Sequence, residues 1–275
     1  MLFGVIGGDR RQEVLLELLR KDGHPAAAYG VSGERDWETA VAADVVLLPL
    51  PLCREGDTLN IEGEHRGAGA LFHRFRRHQL LLAGQVKPPQ KAEALELGLN
   101  LVDYFRREEL TVANAAATAE GTVQVILEGL ERSLLGSRCL VLGFGRIGKL
   151  LCCRLSAMGA QVTAAARRPE SRTWAAAYGY GALDIGKLEG SLGDFDVVVN
   201  TVPAPVFGEA QLRELKPDCF CVDVASVRGI DLPAAEKLGL AGVWARGLPG
   251  KLVPKTAGAL IRDTVYNIIK EEGIL

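Results

Sequence analysis

The chain has 275 residues, of which 48% are hydrophobic and 24% charged, with a formal net charge of −2. Compact domains run to roughly 100–200 residues, so this length predicts two. The composition excludes a disordered chain, a collagen-like repeat and a small disulfide scaffold, and the charge gives no global reason to expect nucleic acid or an anionic membrane as partner. Glycine is abundant, at 32 residues, and stands singly or in pairs between apolar runs, where tight turns and close backbone approaches are made.

The first half alternates strand and helix signals. Leu2–Ile6 is an apolar run closed by Gly7-Gly8, followed by helical spacing over Arg10–Lys21 with Val14, Leu15, Leu18 and Leu19 on one face. Further strands are predicted at Ala26–Val31, Val45–Leu50, Gln79–Ala83 and Asn100–Phe105, with a proline-started helix at Pro88–Leu97. Thr111–Asn114 reads as a short strand or turn, and Glu120–Leu134 as a long helix ended by Gly136. A second alternating series starts at Arg138: CLVLGFG, QVTAAA, DVVVNTV, CFCVDVA and GVWA as strands with helices between them, then a final helix over Thr256–Glu272. The prediction is α/β: two doubly wound, parallel-sheet, Rossmann-like domains joined by a long interdomain helix. Residues 1–112 form the first, completed by the last helix; residues 113–255 form the second, with functional turns facing the cleft between them.

Six cysteines occur without a C-x-x-C pair or a neighbouring histidine, so no metal site is expected, and Cys139, Cys219 and Cys221 read as buried thiols. The start, MLFGVIGGDRR, becomes charged before any adequate apolar region, and no run reaches a membrane span of about 18 residues; a cytoplasmic protein is expected. Phe72–His78 interleaves aromatic and basic residues, which reads as a solvated helix face or a subunit contact rather than an RNA patch.

The sharpest motif is Gly143-Phe-Gly145-Arg146-Ile147-Gly148, a G-x-G-x-x-G placed after an apolar strand and before a helix. Gly143 permits the tight turn, Gly145 lets a pyrophosphate approach the backbone, and Gly148 allows close helix–strand packing, with the helix N-terminus offering free N–H groups. The next strand ends in Arg167-Arg168 rather than in the acid that would bond a ribose 2′-OH, so a 2′-phosphate, hence NADP rather than NAD, is predicted. Asn200, Thr201, Val202, Pro203 and Ala225 lie at strand ends that line the cofactor crevice. Arg228, at the end of the next strand with Ser226, is a candidate carboxylate anchor or a surface arginine. The echo GVIGGDRR near the start reads as a substrate-facing turn.

VIGGDRR, Asn114 with Thr118-Ala-Glu120-Gly121-Thr122, VLGFGRIG, AARR, VNTVP, VASVRG and GLPGKLVPKTAG stand in the order found in the dipicolinate synthase A-subunit family, which this sequence resembles over essentially its whole length. More distantly it resembles D-2-hydroxyacid dehydrogenases and S-adenosylhomocysteine hydrolases. The resemblance implies an NADP-linked oxidation of dihydrodipicolinate, or its hydrated tetrahydro precursor, completing the pyridine ring during endospore formation in the mother cell. The partner it implies is the flavoprotein-like B subunit. Homo-oligomer formation is expected. Arg228-Gly229 falls on the dehydrogenases' catalytic-arginine pattern, whereas their histidine has no match, since the four histidines lie between His24 and His78.

On this reading Arg228, Lys255 and the turn carrying Gly8 and Arg10 hold the substrate's carboxylates. Glu120 is either the base or an acidic first-turn residue. Thr118 and Thr122, with Asn114 nearby, would bind carboxylate at the same helix N-terminus. Lys255 and Thr256 either touch substrate or cap the last helix. The competing readings are an NADP-dependent dehydrogenase of another small hydroxy or amino acid, and a non-catalytic dinucleotide-binding subunit of a flavoprotein-like partner.

Overall fold

A computed structural model describes residues 1–54 and 56–274. The chain forms two compact units, Met1–Asn114 with Val253–Leu275, and Ala115–Leu252.

Unit 1 runs β1 (Phe3–Ile6), α1 (Arg10–Lys21), β2 (Ala26–Val31), β3 (Glu34–Arg35), α2 (Trp37–Ala42), β4 (Val45–Leu47), α3 (Ala68–Phe72), β5 (Leu80–Ala83), α4 (Pro88–Glu96) and β6 (Asn100–Asp103). The sheet order is β3-β2-β1-β4-β5-β6, parallel except for the antiparallel β2–β3 pair. Every residue of β1, β4 and β5 is buried, as expected of central parallel strands covered on both faces. Helix α1 starts on a reciprocal capping box: the Asp9 carboxylate accepts from the Arg11 N–H at 3.0 Å, and Gln12 Oε1 accepts from the Asp9 N–H at 3.1 Å. Burial pushes the Asp9 carboxyl up, but hydrogen bonds and charge from Arg11 outweigh it and hold it below its ordinary range. In the Phe72–His78 stretch, Phe72 and Phe75 are buried and the basic residues are exposed, so the aromatics serve the core.

Helix α5 (Glu108–Gly129) follows. Unit 2 runs β7 (Arg138–Leu142), α6 (Arg146–Ala157), β8 (Gln161–Ala166), α7 (Pro169–Ala177), β9 (Gly181–Asp184), β10 (Val197–Asn200), α8 (Glu209–Leu212), β11 (Phe220–Asp223), α9 (Leu232–Lys237), β12 (Gly242–Trp244) and α10 (Leu248–Leu252). Its sheet is wholly parallel, in the order β12-β11-β10-β7-β8-β9. The order reverses between β7 and β10, the switch point at which doubly wound sheets bind ligands beyond their strand carboxyl ends. Helix α11 (Pro254–Glu271) returns to unit 1, where Ile261, Val265, Ile268 and Ile269 share a core with Leu15, Leu16 and Leu19 of α1.

The structure revises three local expectations. Thr111–Asn114 is helical rather than a strand or turn, because α5 starts at Glu108, and the same helix ends at Gly129 rather than running to Leu134. The edge strands β3 and β9 add to the predicted set. The last helix starts at Pro254, with Val253 as its N-cap, so Thr256 is not the cap.

Just before β10, Asp196 ties three elements together. Its carboxylate accepts from the Arg138 N–H at 2.7 Å, Lys216 Nζ at 2.8 Å and Arg132 Nη1 at 2.9 Å. Burial raises its pKa, and these donors outweigh that and lower it. The folded state therefore binds protons less readily than the unfolded chain, so the stabilisation is present above the ordinary carboxylate value of about 3.9 and is lost as pH falls through the lower folded value. Asp196→Asn is expected to cost unit 2 about 2 kcal/mol at neutral pH and to flatten stability below pH ~4. Urea unfolding across pH checks both.

Candidate dinucleotide and substrate site

The turn between β7 and α6 carries Gly143, Gly145 and Gly148, and each glycine has a different physical reason. Gly143 has φ +96°, and a Cβ there would lie 2.4 Å from Thr201 Oγ1. A Cβ on Gly148 would lie 2.1 Å from the Gly143 carbonyl oxygen, so α6 can approach β7 only without a side chain. A Cβ on Gly145 would meet nothing within 4 Å. Gly145 is the N-cap of the 12-residue helix α6 and supplies no capping side chain, so the start of that helix has no side-chain cap. Arg146 is exposed at the first helical position, and half-buried Ile147 packs on the unit 2 core. This is the cradle a dinucleotide pyrophosphate requires.

The glycines of GVIGG do different work. A Cβ on Gly4 would lie 1.9 Å from the Ala40 carbonyl oxygen, and one on Gly7 would lie 2.4 Å from Ile61 Cγ1. Both admit packed neighbours, and neither leaves the space found at Gly145.

Strand β8 is followed directly by Arg167 and Arg168, both exposed. Arg168 reaches Glu170 only at 4.0 Å. Arg172, which no sequence motif marks, braces this turn. Its Nη1 donates to the carbonyls of Ala166 at 3.0 Å and Arg167 at 2.8 Å, and it stands 3.3 Å from the Asp184 carboxylate. The turn is thereby held with two guanidinium groups turned to solvent.

At the end of β10, Asn200 is fully buried and its amide is used internally. Oδ1 accepts from the Val202 N–H at 2.9 Å, and Nδ2 donates to the Val202 carbonyl at 2.9 Å and to Asp223 Oδ1 at 3.1 Å. Asn200 therefore shapes the crevice and has no amide hydrogen-bonding capacity turned toward a ligand. Thr201 Oγ1 donates to the Leu142 carbonyl at 2.9 Å, tying β10 to the glycine turn; Val202 is half-buried and Pro203 exposed beside it.

Asp223, at the end of β11, is the residue with most influence that sequence motifs leave unmarked. Its fully buried carboxylate accepts from Ala225 N at 3.0 Å, Gly229 N at 2.7 Å and Ile230 N at 2.9 Å, besides Asn200. The loop carrying buried Ala225 and exposed Ser226 and Arg228 is thus closed on one carboxylate. Gly229 must be glycine, since a Cβ would lie 2.4 Å from Asn200 Nδ2 and 2.6 Å from the Ala204 carbonyl oxygen.

Other predicted site residues are placed differently. Glu120 lies in the middle of α5, not at a helix N-terminus, and its carboxylate accepts from Arg154 Nη2 at 2.9 Å. Thr122 is fully buried with its hydroxyl donating to the Thr118 carbonyl at 2.7 Å, and Thr118 is itself buried. Asn114 falls inside the same helix. The helix-dipole argument for anion binding at Thr118 and Thr122 therefore fails. Gly121 lets α10 approach α5, its Cβ position being 3.0 Å from Leu248 Cβ. Lys255 and Thr256 are exposed on the first turn of α11. Gly250 lies within α10 rather than in a turn, and Gly258 admits α1, its Cβ position being 2.7 Å from Val14 Cβ. Gly8 and Arg10 do come together, in a cavity of about 760 Å³ at the carboxyl ends of β1 and β2, with Tyr29, Arg54 and Glu64.

All six cysteines are thiols, and only Cys153 is exposed. Burial pushes the Cys139 thiol up to about 12, so it is inert as a nucleophile at neutral pH. Among the described residues no three His, Cys, Asp or Glu side chains gather as a metal site, and no helix is long and apolar enough to cross a membrane.

Fold and cradle together define a dehydrogenase-type oxidoreductase with a nicotinamide-dinucleotide domain, and residues 109–235 match the D-isomer-specific 2-hydroxyacid dehydrogenase NAD-binding domain family. Residues 2–105 match the N-terminal domain family of the dipicolinate synthase A-subunit. The whole chain resembles that protein: it is 27% identical to the dipicolinate synthase A-subunit of Bacillus subtilis (strain 168), over 97% of this chain and 95% of the relative. The crystal structure of the dipicolinate synthase A-subunit from Bacillus halodurans is similar at TM-score 0.84 and 27% identity, covering 98% of this chain and 97% of that one. D-lactate dehydrogenase from Escherichia coli shares the fold, at TM-score 0.66 and 15% identity over 99% of this chain and 98% of that one.

Proposed function

We propose that the chain oxidises dihydrodipicolinate, or its hydrated tetrahydro precursor after loss of water, to dipicolinate with NADP. The dihydropyridine gives up one hydride and one ring proton, and the product is aromatic, so the step is downhill. A dinucleotide held by its pyrophosphate at the α6 cradle would supply the hydride acceptor, its nicotinamide ring.

The observation that carries this reading is the carboxyl edge of the unit 2 sheet. There an open Gly145 cradle, the solvent-facing Arg167 and Arg168 and the Asp223-held Arg228 loop lie on one sheet edge. The protein's tasks are orientation and charge: Arg167 and Arg168 meet a 2′-phosphate, and Arg228 meets a substrate carboxylate. Lys255, Arg10 and Gly8 are proposed as further substrate contacts. Glu120 is not favoured as the base, because its carboxylate is spent on Arg154. A flavoprotein-like B subunit is the proposed partner, in the mother cell of a spore former.

The test uses purified chain, NADP and freshly made dihydrodipicolinate, reading NADPH absorbance together with the dipicolinate spectrum. Both rise together on this reading. Absence of turnover even with the second subunit present sinks it, and turnover only with that subunit moves the catalytic site to the pair. Replacing Arg167 and Arg168 together with serine is expected to weaken NADP binding on the order of 10–100-fold and leave NAD binding unchanged. An unchanged ratio of the two affinities removes these arginines from cofactor selection.

A further inference from the structure

The sequence carries Arg-Gly twice in unit 2, at Arg228-Gly229 and Arg246-Gly247, and only the first of them fits a dehydrogenase pattern. The structure places both on one side chain. The Arg228 guanidinium carbon lies 4.6 Å from the centroid of the Trp244 ring, and that of Arg246 lies 4.1 Å from it. The indole is fixed, because its Nε1 donates to the Ala225 carbonyl at 3.0 Å and Ala225 N donates to Asp223. The backbone just before Arg246 is fixed by the same strand end, with Ala245 N donating to the Asp223 carbonyl at 2.8 Å. Gly247, at φ +69°, then turns the chain away.

Two like charges held on one ring repel each other unless an anion is shared between them. Arg20 pairs with Glu34 and Arg107 with Glu271, but among the described residues neither Arg228 nor Arg246 makes an ion pair. Both are exposed at the ends of β11 and β12. In this sheet those strands lie on the opposite side of β7 from β8, whose end carries the arginines suited to an adenosine 2′-phosphate. A dinucleotide whose adenosine end lay at β8 and whose pyrophosphate lay on the glycine turn would have its nicotinamide on the β10–β11 side. The paired guanidinium groups therefore stand on the hydride-accepting side.

We propose that Arg246 is a second substrate-binding residue, paired with Arg228 through Trp244 as a two-pronged anchor for a small dicarboxylate. This rests on the dicarboxylate reading above and specifies it: one carboxylate per guanidinium, with Trp244 as a positioning residue that sets their spacing.

Calorimetric titration of the NADP-loaded chain tests this without turnover. Pyridine-2,6-dicarboxylate is expected to bind at least about tenfold tighter than pyridine-2-carboxylate. Arg246→Gln and Arg228→Gln are each expected to abolish that preference, with NADP affinity and melting temperature unchanged, and Arg246→Lys to restore part of it. Retention of the preference in Arg246→Gln overturns the inference. If the wild-type chain binds neither pyridine acid, straight-chain dicarboxylates of four to seven carbons are titrated next. Arg246-dependent binding of one of them keeps the anchor and discards the pyridine substrate, and absence of any Arg246-dependent binding discards the anchor.

Discussion

Gly148→Ala is expected to destabilise unit 2 by about 3 kcal/mol, the upper range for forcing a methyl group into packed structure. For a domain of this size that lowers the melting temperature by roughly 10 °C. The obstacle is backbone, not a side chain that can rotate: the new Cβ would stand 2.1 Å from the Gly143 carbonyl oxygen. Relief requires α6 to lift off β7. Gly145→Ala, three residues earlier, is expected to leave the melting temperature within a degree or two, because the new methyl meets no atom and the φ of −86° suits any residue. Its cost appears only with the dinucleotide, as a loss of affinity on the order of 10–100-fold. Thermal unfolding and cofactor titration of the two variants, side by side, separate the packing role from the binding role. Equal effects of both on melting would refute the assignment of Gly145 to ligand space.

The same contrast explains what is legible in the sequence. The strand–turn–helix context of GFGRIG can be read directly, because glycine spacing encodes backbone geometry. The two sheets can be read too, since β1, β4, β5, β7, β10 and β11 are apolar runs of the kind buried parallel strands require. β3 cannot: it is Glu34–Arg35, two charged residues paired at an edge. β9, at the other sheet's edge, is Gly-Ala-Leu-Asp, with little strand signature.

The start of α5 is hidden for another reason. Its residues 113–121 are alanine-rich rather than leucine-striped, so the apolar period is weak and Thr111–Asn114 resembles a turn. That one ambiguity places Glu120, Thr118 and Thr122 at a helix N-terminus they do not occupy. Arg246 and Asp223 are visible in the sequence but carry no spacing signal there, one being an arginine before GLPG and the other an aspartate ending a strand. Their meaning lies in Trp244 and in four converging donors, which only the folded chain assembles.

Asp223→Asn is expected to be the more damaging of the substitutions around the Arg228 loop. The carboxylate offers two acceptor oxygens to four N–H groups, with Oδ1 serving Asn200 and Ala225 and Oδ2 serving Gly229 and Ile230. An asparagine keeps one oxygen and presents an NH₂ to the other pair, so two buried donors face a donor. At about 1–3 kcal/mol for each donor left unmet, unit 2 loses roughly 2–6 kcal/mol. The loss falls where the Arg228 loop closes, so the loop opens before the glycine cradle, which is held by Thr201 and by α6 packing. In protein that remains folded at low temperature, dinucleotide affinity should stay within about threefold, equivalent to less than 1 kcal/mol. Dicarboxylate affinity should fall by about a hundredfold, the equivalent of one charge-assisted contact at each arginine. A variant that loses both ligands equally would show that Asp223 supports the whole edge of the sheet; one that loses neither would show that Arg228 holds its position without the buried carboxylate.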